Sequence, residues 1–186
     1  MPALQTMNTP VDEKYDPKLL SDRLPSVGHM FRDRVAKTPD AKAFMHAIVK
    51  DGGDECVDVT WGQVKDTVYA LAGGLISLGV EAEARCAIAS GTRYEWALAD
   101  LANMCAGAAT TTIYPTTIAD DVAYIISDSG SVVVYAEDQA QLEKLRSIKD
   151  QIPDVKKVVL LDGSAAGDDE WVMNLKDLEI LGRELL

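Results

Sequence analysis

Apolar residues recur along this chain with two spacings, one near 3.6 and one near 2 or continuous, and their alternation predicts the elements. Ser26 opens a predicted helix through Lys37 with Val27, Met30, Phe31 and Val35 on one face, and Thr38-Pro39-Asp40 stops it. Ala43 to Val49 and Cys56 to Thr60 flank Asp51-Gly52-Gly53-Asp54, a β-hairpin pattern. Thr60-Trp61-Gly62-Gln63 fits a capping box, and the helix it opens places Val64, Val68, Leu71, Ala72, Leu75 and Ile76 on a 3.6 period up to Gly79, a left-handed C-cap. Gly73-Gly74 inside that helix costs about 1 kcal/mol per residue against Ala, which implies close packing on a neighbouring backbone.

The stretch from Arg85 to Pro115 organises the rest. Arg85 to Ser90 reads as a short buried strand, Gly91-Thr92-Arg93 as a turn, the apolar segment through Ala108 as a helix with a glycine exit, and Ala109 to Pro115 as a second buried strand: the order of a parallel β-α-β unit. Only Asp100 and Asn103 interrupt the apolar residues of that helix, so it is expected to be enclosed on nearly all sides. Downstream, Thr116-Thr117 caps a predicted helix from Ile118 to Ser127 with Val122, Ile125 and Ile126 inward, ended by Asp128-Ser129-Gly130. Val132 to Tyr135 is the next strand, Gln139 to Asp150 a helix with Leu142, Leu145 and Ile148 inward, and Val155 to Leu161 another strand. Asp162 to Glu170 reads as an exposed loop, and Asn174 to Leu186 as a last helix with Leu175, Leu178 and Leu181 inward. The sum is an α/β chain: a mostly parallel, doubly wound sheet flanked by helices, with an N-terminal antiparallel hairpin. Residues 1–23, with Pro2, Pro10 and Pro17 and no period, are expected to form a flexible arm, and 24–186 one α/β segment.

Composition narrows the function classes. A net charge of −12 over 186 residues argues against nucleic acid and anionic lipid, both of which need clustered Lys and Arg. The longest apolar runs, Leu71 to Val80 and Trp96 to Ala109, are too short and interrupted for a transmembrane segment, and no basic n-region precedes an apolar core as in a secretory signal. Cys56, Cys86 and Cys105 are odd in number and lie in apolar surroundings, which reads as reduced core thiols in a cytoplasmic protein.

Candidate chemistry is sparse. Ser90-Gly91-Thr92-Arg93 follows a strand and opens a helix, where backbone amides and two hydroxyls could hold an anion. It matches no Gly-rich phosphate motif, and Ser, Gly and Thr are equally what a tight turn and an N-cap require. His29 and His46 have no Cys or carboxylate at ligand spacing, so no metal site is expected. No G-x-S-x-G elbow is present, Asp120-Asp121 reads as the solvated first turn of a helix, and Trp61, Trp96 and Trp171 read as core or interface anchors. From the residues alone, no catalytic, cofactor-binding or metal-binding residue is assigned.

The ordered set Pro25 to Phe31, Val59-Thr60-Trp61, Ala70 with Gly73-Gly74-Leu75 and Leu78-Gly79-Val80, Ser90 with Glu95-Trp96, Ala106-Gly107-Ala108, Ile113-Tyr114-Pro115-Thr116 and Tyr124-Ile125-Ile126 with Asp128-Ser129 resembles the opening segment of AMP-dependent acyl-CoA synthetases, in flavour the long-chain fatty acid CoA ligases. The resemblance covers roughly Leu24 to Leu186. It implies, for a full enzyme, that a fatty acid and ATP with Mg²⁺ give an acyl-adenylate and pyrophosphate, and that CoA then takes the acyl group. It also implies that the family's phosphate loop, its Tyr-Gly-x-Thr-Glu segment, the ribose-binding Asp and the catalytic Lys lie further along, with no match here, so no cofactor is expected to bind this segment. The expected partner is the remainder of the ligase chain, and exposed apolar surface left without it is expected to drive self-association. Two other readings stay open: a non-catalytic α/β interaction module, and a small nucleotide-binding domain using the Ser90 to Arg93 turn.

Overall fold

The structure, a computed structural model, describes residues 21–50, 53–163 and 169–185. The expected arm therefore lies almost wholly outside the described residues, as do Asp51 and Gly52 of the hairpin turn and part of the 162–170 loop.

Helix α1 (Val27–Lys37) starts where Ser26 Oγ accepts the His29 amide. Strands β1 (Lys42–Lys50) and β2 (Gly53–Thr60) pair antiparallel as the hairpin. Helix α2 (Trp61–Ser77) begins with the expected capping box, Thr60 and Gln63 each bonding the other's backbone amide, and Gly79 follows with φ +75°. Then come β3 (Arg85–Ala89), α3 (Tyr94–Cys105), β4 (Ala109–Ile113), α4 (Ala119–Ser129), β5 (Ser131–Ala136), α5 (Gln139–Ser147), a single 3₁₀ turn (Lys149–Gln151), β6 (Lys157–Leu160), β7 (Val172–Asn174) and α6 (Leu175–Arg183).

The five later strands form one sheet in the order β4-β3-β5-β6-β7, every neighbouring pair parallel. Alternate strand residues feed two cores. Cys86, Ile88, Val133, Tyr135 and Val159 face α1, α2, α3 and α6. Ala87, Ala89, Val134, Val158 and Leu160 face α4 and α5. The chain leaves β3 toward β4 across the first face and leaves β5 toward β6 across the second, so the winding reverses between the adjacent strands β3 and β5. The doubly wound parallel sheet with its hairpin is the fold that the apolar spacing implies.

Where α2 crosses α6, Gly73 and Gly74 meet Leu178 and Gly182 backbone to backbone, the close approach expected of the paired glycines. Expectation and structure part at several places. Helix α3 is not enclosed: Leu98, Ala99, Ala102 and Asn103 are buried, while Trp96, Ala97, Leu101 and Met104 are only half-buried and border open grooves. The α1 face splits likewise, with Phe31 and Val35 buried but Val27 45% and Met30 57% exposed. Helix α4 begins one residue later than expected, with Ile118 at its N-cap and no side-chain cap, so Thr116 and Thr117 do not cap it. Helix α5 ends at Ser147 and finishes as the 3₁₀ turn. Strand β6 starts at Lys157 rather than Val155, whose carbonyl instead accepts the Trp171 indole N–H at 2.9 Å. The three-residue β7 is too short to leave a periodic signature. Cys56 is exposed on β2, so only Cys86 is a fully buried core thiol and Cys105 is intermediate.

Candidate functional site

In an open parallel sheet a ligand crevice forms beyond the carboxyl ends of the strands, where the winding reverses. Here that point lies between the Ser90 to Arg93 turn after β3 and Glu137-Asp138 after β5. The two turns are joined. The Gly91 amide donates to Glu137 Oε2 at 3.0 Å, and the Glu137 amide donates to the Ala89 carbonyl at 3.0 Å, extending the β3–β5 ladder by one rung. A Cβ at Gly91 would stand 3.6 and 3.7 Å from the two carboxylate oxygens and 4.0 Å from Pro115 Cγ, so Gly91 sits in a narrow gap between the ends of β4 and β5.

Two of the turn's other polar groups are also committed. Ser90 Oγ donates to the Gly91 carbonyl at 2.9 Å. Arg93 occupies the N-cap of α3 without a side-chain cap bond, so neither Ser90 nor Thr92 has the capping role their residue types suggest. Its Nε donates to Glu95 Oε2 at 2.7 Å. Partial burial works against the Arg93 charge, yet the hydrogen bond and charge of Glu95, with Glu137 and Asp162 nearby, raise its pKa above the usual guanidinium value.

The next turn over is pinned from α5. Lys144 Nζ donates to the Pro115 and Thr117 carbonyls at 2.7 Å each, and Gln141 Nε2 to the Pro115 carbonyl at 3.2 Å. Beside β3 and β4 a cavity of about 280 Å³ opens among Ser90, Gly91, Thr92, Trp96, Thr112 and Tyr114, the last 81% exposed. The apolar sides of α1 and α3 border a wider groove of about 480 Å³ with Val27, Met30, Phe44, Trp61, Trp96 and Leu101 in its walls.

The remaining candidates disperse. His29 Nδ1 lies 2.8 Å from Ser26 Oγ, and the His46 ring stacks on Tyr94 at 4.2 Å, holding the hairpin to α3. Asp120 and Asp121 lie in the first turn of α4, favourably placed in its dipole. Trp171 is buried and covered by the Lys149 ammonium at 4.6 Å, and Trp61 packs between Phe31 and Phe44. Burial pushes the Cys86 thiol up to about 12 and the Cys105 thiol to about 11, so both stay protonated and unreactive at neutral pH. Among the described residues no group of three or more His, Cys, Asp or Glu is placed to hold a metal, and no helix is long and apolar enough to cross a membrane.

Sequence reasoning missed Glu137, Gln141, Lys144 and Asn103. Glu137 carries one signal: an acid directly after the apolar run Val132 to Ala136 must sit at a strand's carboxyl end. Asn103 is completely buried in α3. It takes the Tyr135 hydroxyl at 3.3 Å and donates to Thr110 Oγ1 at 3.0 Å, tying α3, β4 and β5 through one polar chain.

This donor set does not fit a nucleotide phosphate with its Mg²⁺. The amide that would face the anion already holds a carboxylate, the lysine at that edge is spent on two carbonyls, and three acids surround the one arginine.

A family model described as AMP-binding enzyme matches residues 31–179. A long-chain-fatty-acid–CoA ligase, FadD15, of Mycobacterium bovis is 39% identical over 107 residues, which is 58% of this chain and 18% of that protein. The long-chain-fatty-acid–CoA ligase heimdall of Drosophila melanogaster is 29% identical over 150 residues, 80% of this chain and 22% of its own length. Among solved structures, one described as a long-chain-fatty-acid CoA ligase from Rhodopseudomonas palustris superposes with TM-score 0.68 at 27% identity, over 82% of this chain and 36% of that one. The A-PCP didomain of a carboxylic acid reductase from Segniliparus rugosus superposes with TM-score 0.71 at 15% identity, over 90% of this chain and 28% of its own, a likeness of fold. The chain thus spans about a fifth of the length of the curated relatives it matches.

Proposed function

The chain belongs to the AMP-binding enzyme family, and we propose that it is the N-terminal structural segment of a long-chain fatty acid CoA ligase that converts a fatty acid, ATP and CoA to acyl-CoA, AMP and pyrophosphate through an acyl-adenylate. One observation carries this reading: the relatives matched over most of the fold are named long-chain ligases, and the match occupies about a fifth of their length. In such an enzyme ATP, Mg²⁺ and CoA supply the activation and transfer chemistry. What these residues contribute is a rigid sheet and the helices that brace it.

Phosphoryl and adenylyl transfer rests on donors aimed at developing negative charge. At the carboxyl ends of this sheet the groups point the other way, with acids foremost. The segment is therefore inactive alone, its partner is the remaining ligase polypeptide, and the Glu137 contact supports this scaffold reading over a small nucleotide-binding domain. Cytoplasmic residence belongs to the same proposal, supported by the free cysteines, and cell fractionation checks it. The groove walled by Val27, Met30, Trp61 and Trp96 is apolar surface awaiting cover, so the isolated chain self-associates; light scattering showing a clean monomer at high concentration would count against that.

The activity claim is tested by pyrophosphate release with palmitate, ATP, Mg²⁺ and CoA on the 186-residue chain. No turnover above a heat-denatured control is expected. Turnover above it overturns the scaffold reading.

A further inference from the structure

The carboxylate across the switch-point crevice, which above only favours a scaffold over a small nucleotide-binding domain, has a role of its own in the chain. A turn that leaves a parallel strand and enters a twelve-residue helix turns amides toward the strand ends, a setting in which proteins often hold phosphate. In this chain the setting is filled from within. Glu137 comes from a different strand, 46 residues along, and directs both oxygens at Gly91, one of them at hydrogen-bonding distance. Its own amide is locked to the Ala89 carbonyl, so the side chain starts from a fixed backbone position rather than from a loop tip. Pro115 Cγ would stand 4.0 Å from a Cβ placed on Gly91, and Lys144 and Gln141 hold the Pro115 carbonyl.

We propose that Glu137 is an internal clasp: its carboxylate occupies the place an anionic ligand would take on the Gly91 amide, couples the β3 and β5 turns, and keeps phosphate off that amide. A hydrogen bond from an amide to an ionised carboxylate is roughly twice as strong as a neutral one. An intramolecular carboxylate also competes at an effective concentration on the order of millimolar or above, so free phosphate at ordinary concentrations does not displace it. The clasp shares the Glu137 contact with the scaffold reading, but phosphate titration tests the clasp and pyrophosphate release tests the scaffold, so either can fail without the other.

The test uses the 186-residue chain, its Glu137→Gln and Glu137→Ala variants, and inorganic phosphate as probe, followed by backbone amide NMR. In the parent the Gly91 amide stays unmoved as phosphate is added. In Glu137→Ala its proton shifts upfield before any phosphate is added, because the charge-assisted bond is gone. Phosphate then moves Gly91 and Thr92 saturably, with at least ten-fold greater apparent affinity than in the parent. Glu137→Gln, which keeps the shape and loses the charge, falls between. The proposal is overturned if the parent's Gly91 titrates with phosphate as strongly as the Ala variant's, if the Gly91 proton is the same in parent and Ala variant, or if the Ala variant loses the bond yet gains no phosphate response.

Discussion

Replacing a glycine inside a helix by alanine ordinarily stabilises a protein by about 1 kcal/mol, through helix propensity. At Gly182 the opposite is expected, because α6 lies against α2 with no side chains between the two backbones. A Cβ on Gly182 would fall onto the Ala70 carbonyl oxygen and against the Gly74 amide nitrogen; one on Gly74 would fall onto the Leu178 carbonyl oxygen; one on Gly73 would stand 2.9 Å from the Gly182 carbonyl oxygen. Backbone atoms cannot swing aside as a side chain does, so α6 must lift. Inserting a methyl into such a contact costs about 1–3 kcal/mol. Lifting α6 also uncovers Leu178, now fully buried, whose burial is worth about 1.5–3 kcal/mol. Less the propensity gain, Gly182→Ala should destabilise the chain by roughly 2–4 kcal/mol, Gly74→Ala somewhat less, and Gly73→Ala by about 1 kcal/mol or less. Urea unfolding at 25 °C followed by circular dichroism ranks the three, and amide exchange in α6 reports whether that helix opens first. A Gly182→Ala midpoint equal to or above the parent's would refute the contact and the reasoning built on it.

Three further outcomes follow from the packing. Asn103→Ala leaves the Tyr135 hydroxyl buried without its acceptor, so it should lose about 2–3 kcal/mol in the same unfolding assay, and adding Tyr135→Phe should recover part of the loss. Maleimide at pH 7.5 should label Cys56 rapidly while Cys86 and Cys105 react only after urea, and mass spectrometry of a Cys56→Ser variant should show the fast label gone. Burial works to raise the Glu179 pKa, but its hydrogen bonds and charge pairs with Lys176 and Arg183 outweigh it and hold the carboxyl below the usual range. A lowered folded pKa stabilises above the unfolded value, near 4.3, and that share is lost as pH falls below it; a Glu179→Gln variant should be less stable at pH 7 and show a shallower loss of stability from pH 5 to pH 3.

How far the fold was legible depends on where its instructions sit. Caps and glycines act within a few residues, so Ser26, the Thr60 and Gln63 box and Gly79 can be read directly, and each does in the structure what its type suggests. Thr116 and Thr117 show the limit of that rule. Their carbonyl neighbourhood is claimed by Lys144 from α5, the Thr117 amide closes a turn on the Tyr114 carbonyl, and the helix starts after an extended Ile118, beyond the residues suited to cap it. Apolar periodicity tells which residues avoid water, not which neighbour covers them. Trp96, Leu101 and Met30 satisfy the pattern as well as Leu98 and Phe31 do, yet they border an open groove.

The candidate site was less legible, because its decisive contact joins residues 46 positions apart. Read locally, Ser90-Gly91-Thr92-Arg93 supports an anion seat and a tight turn equally well, and nothing within the motif separates the two. The separation comes from β5, which lands beside β3 only because the winding reverses there, and which is followed directly by an acid rather than by a small or basic residue. A carboxylate at that place makes the turn's amide a structural donor. The same reversal that would open a crevice for a ligand thus brings Glu137 against the Gly91 amide.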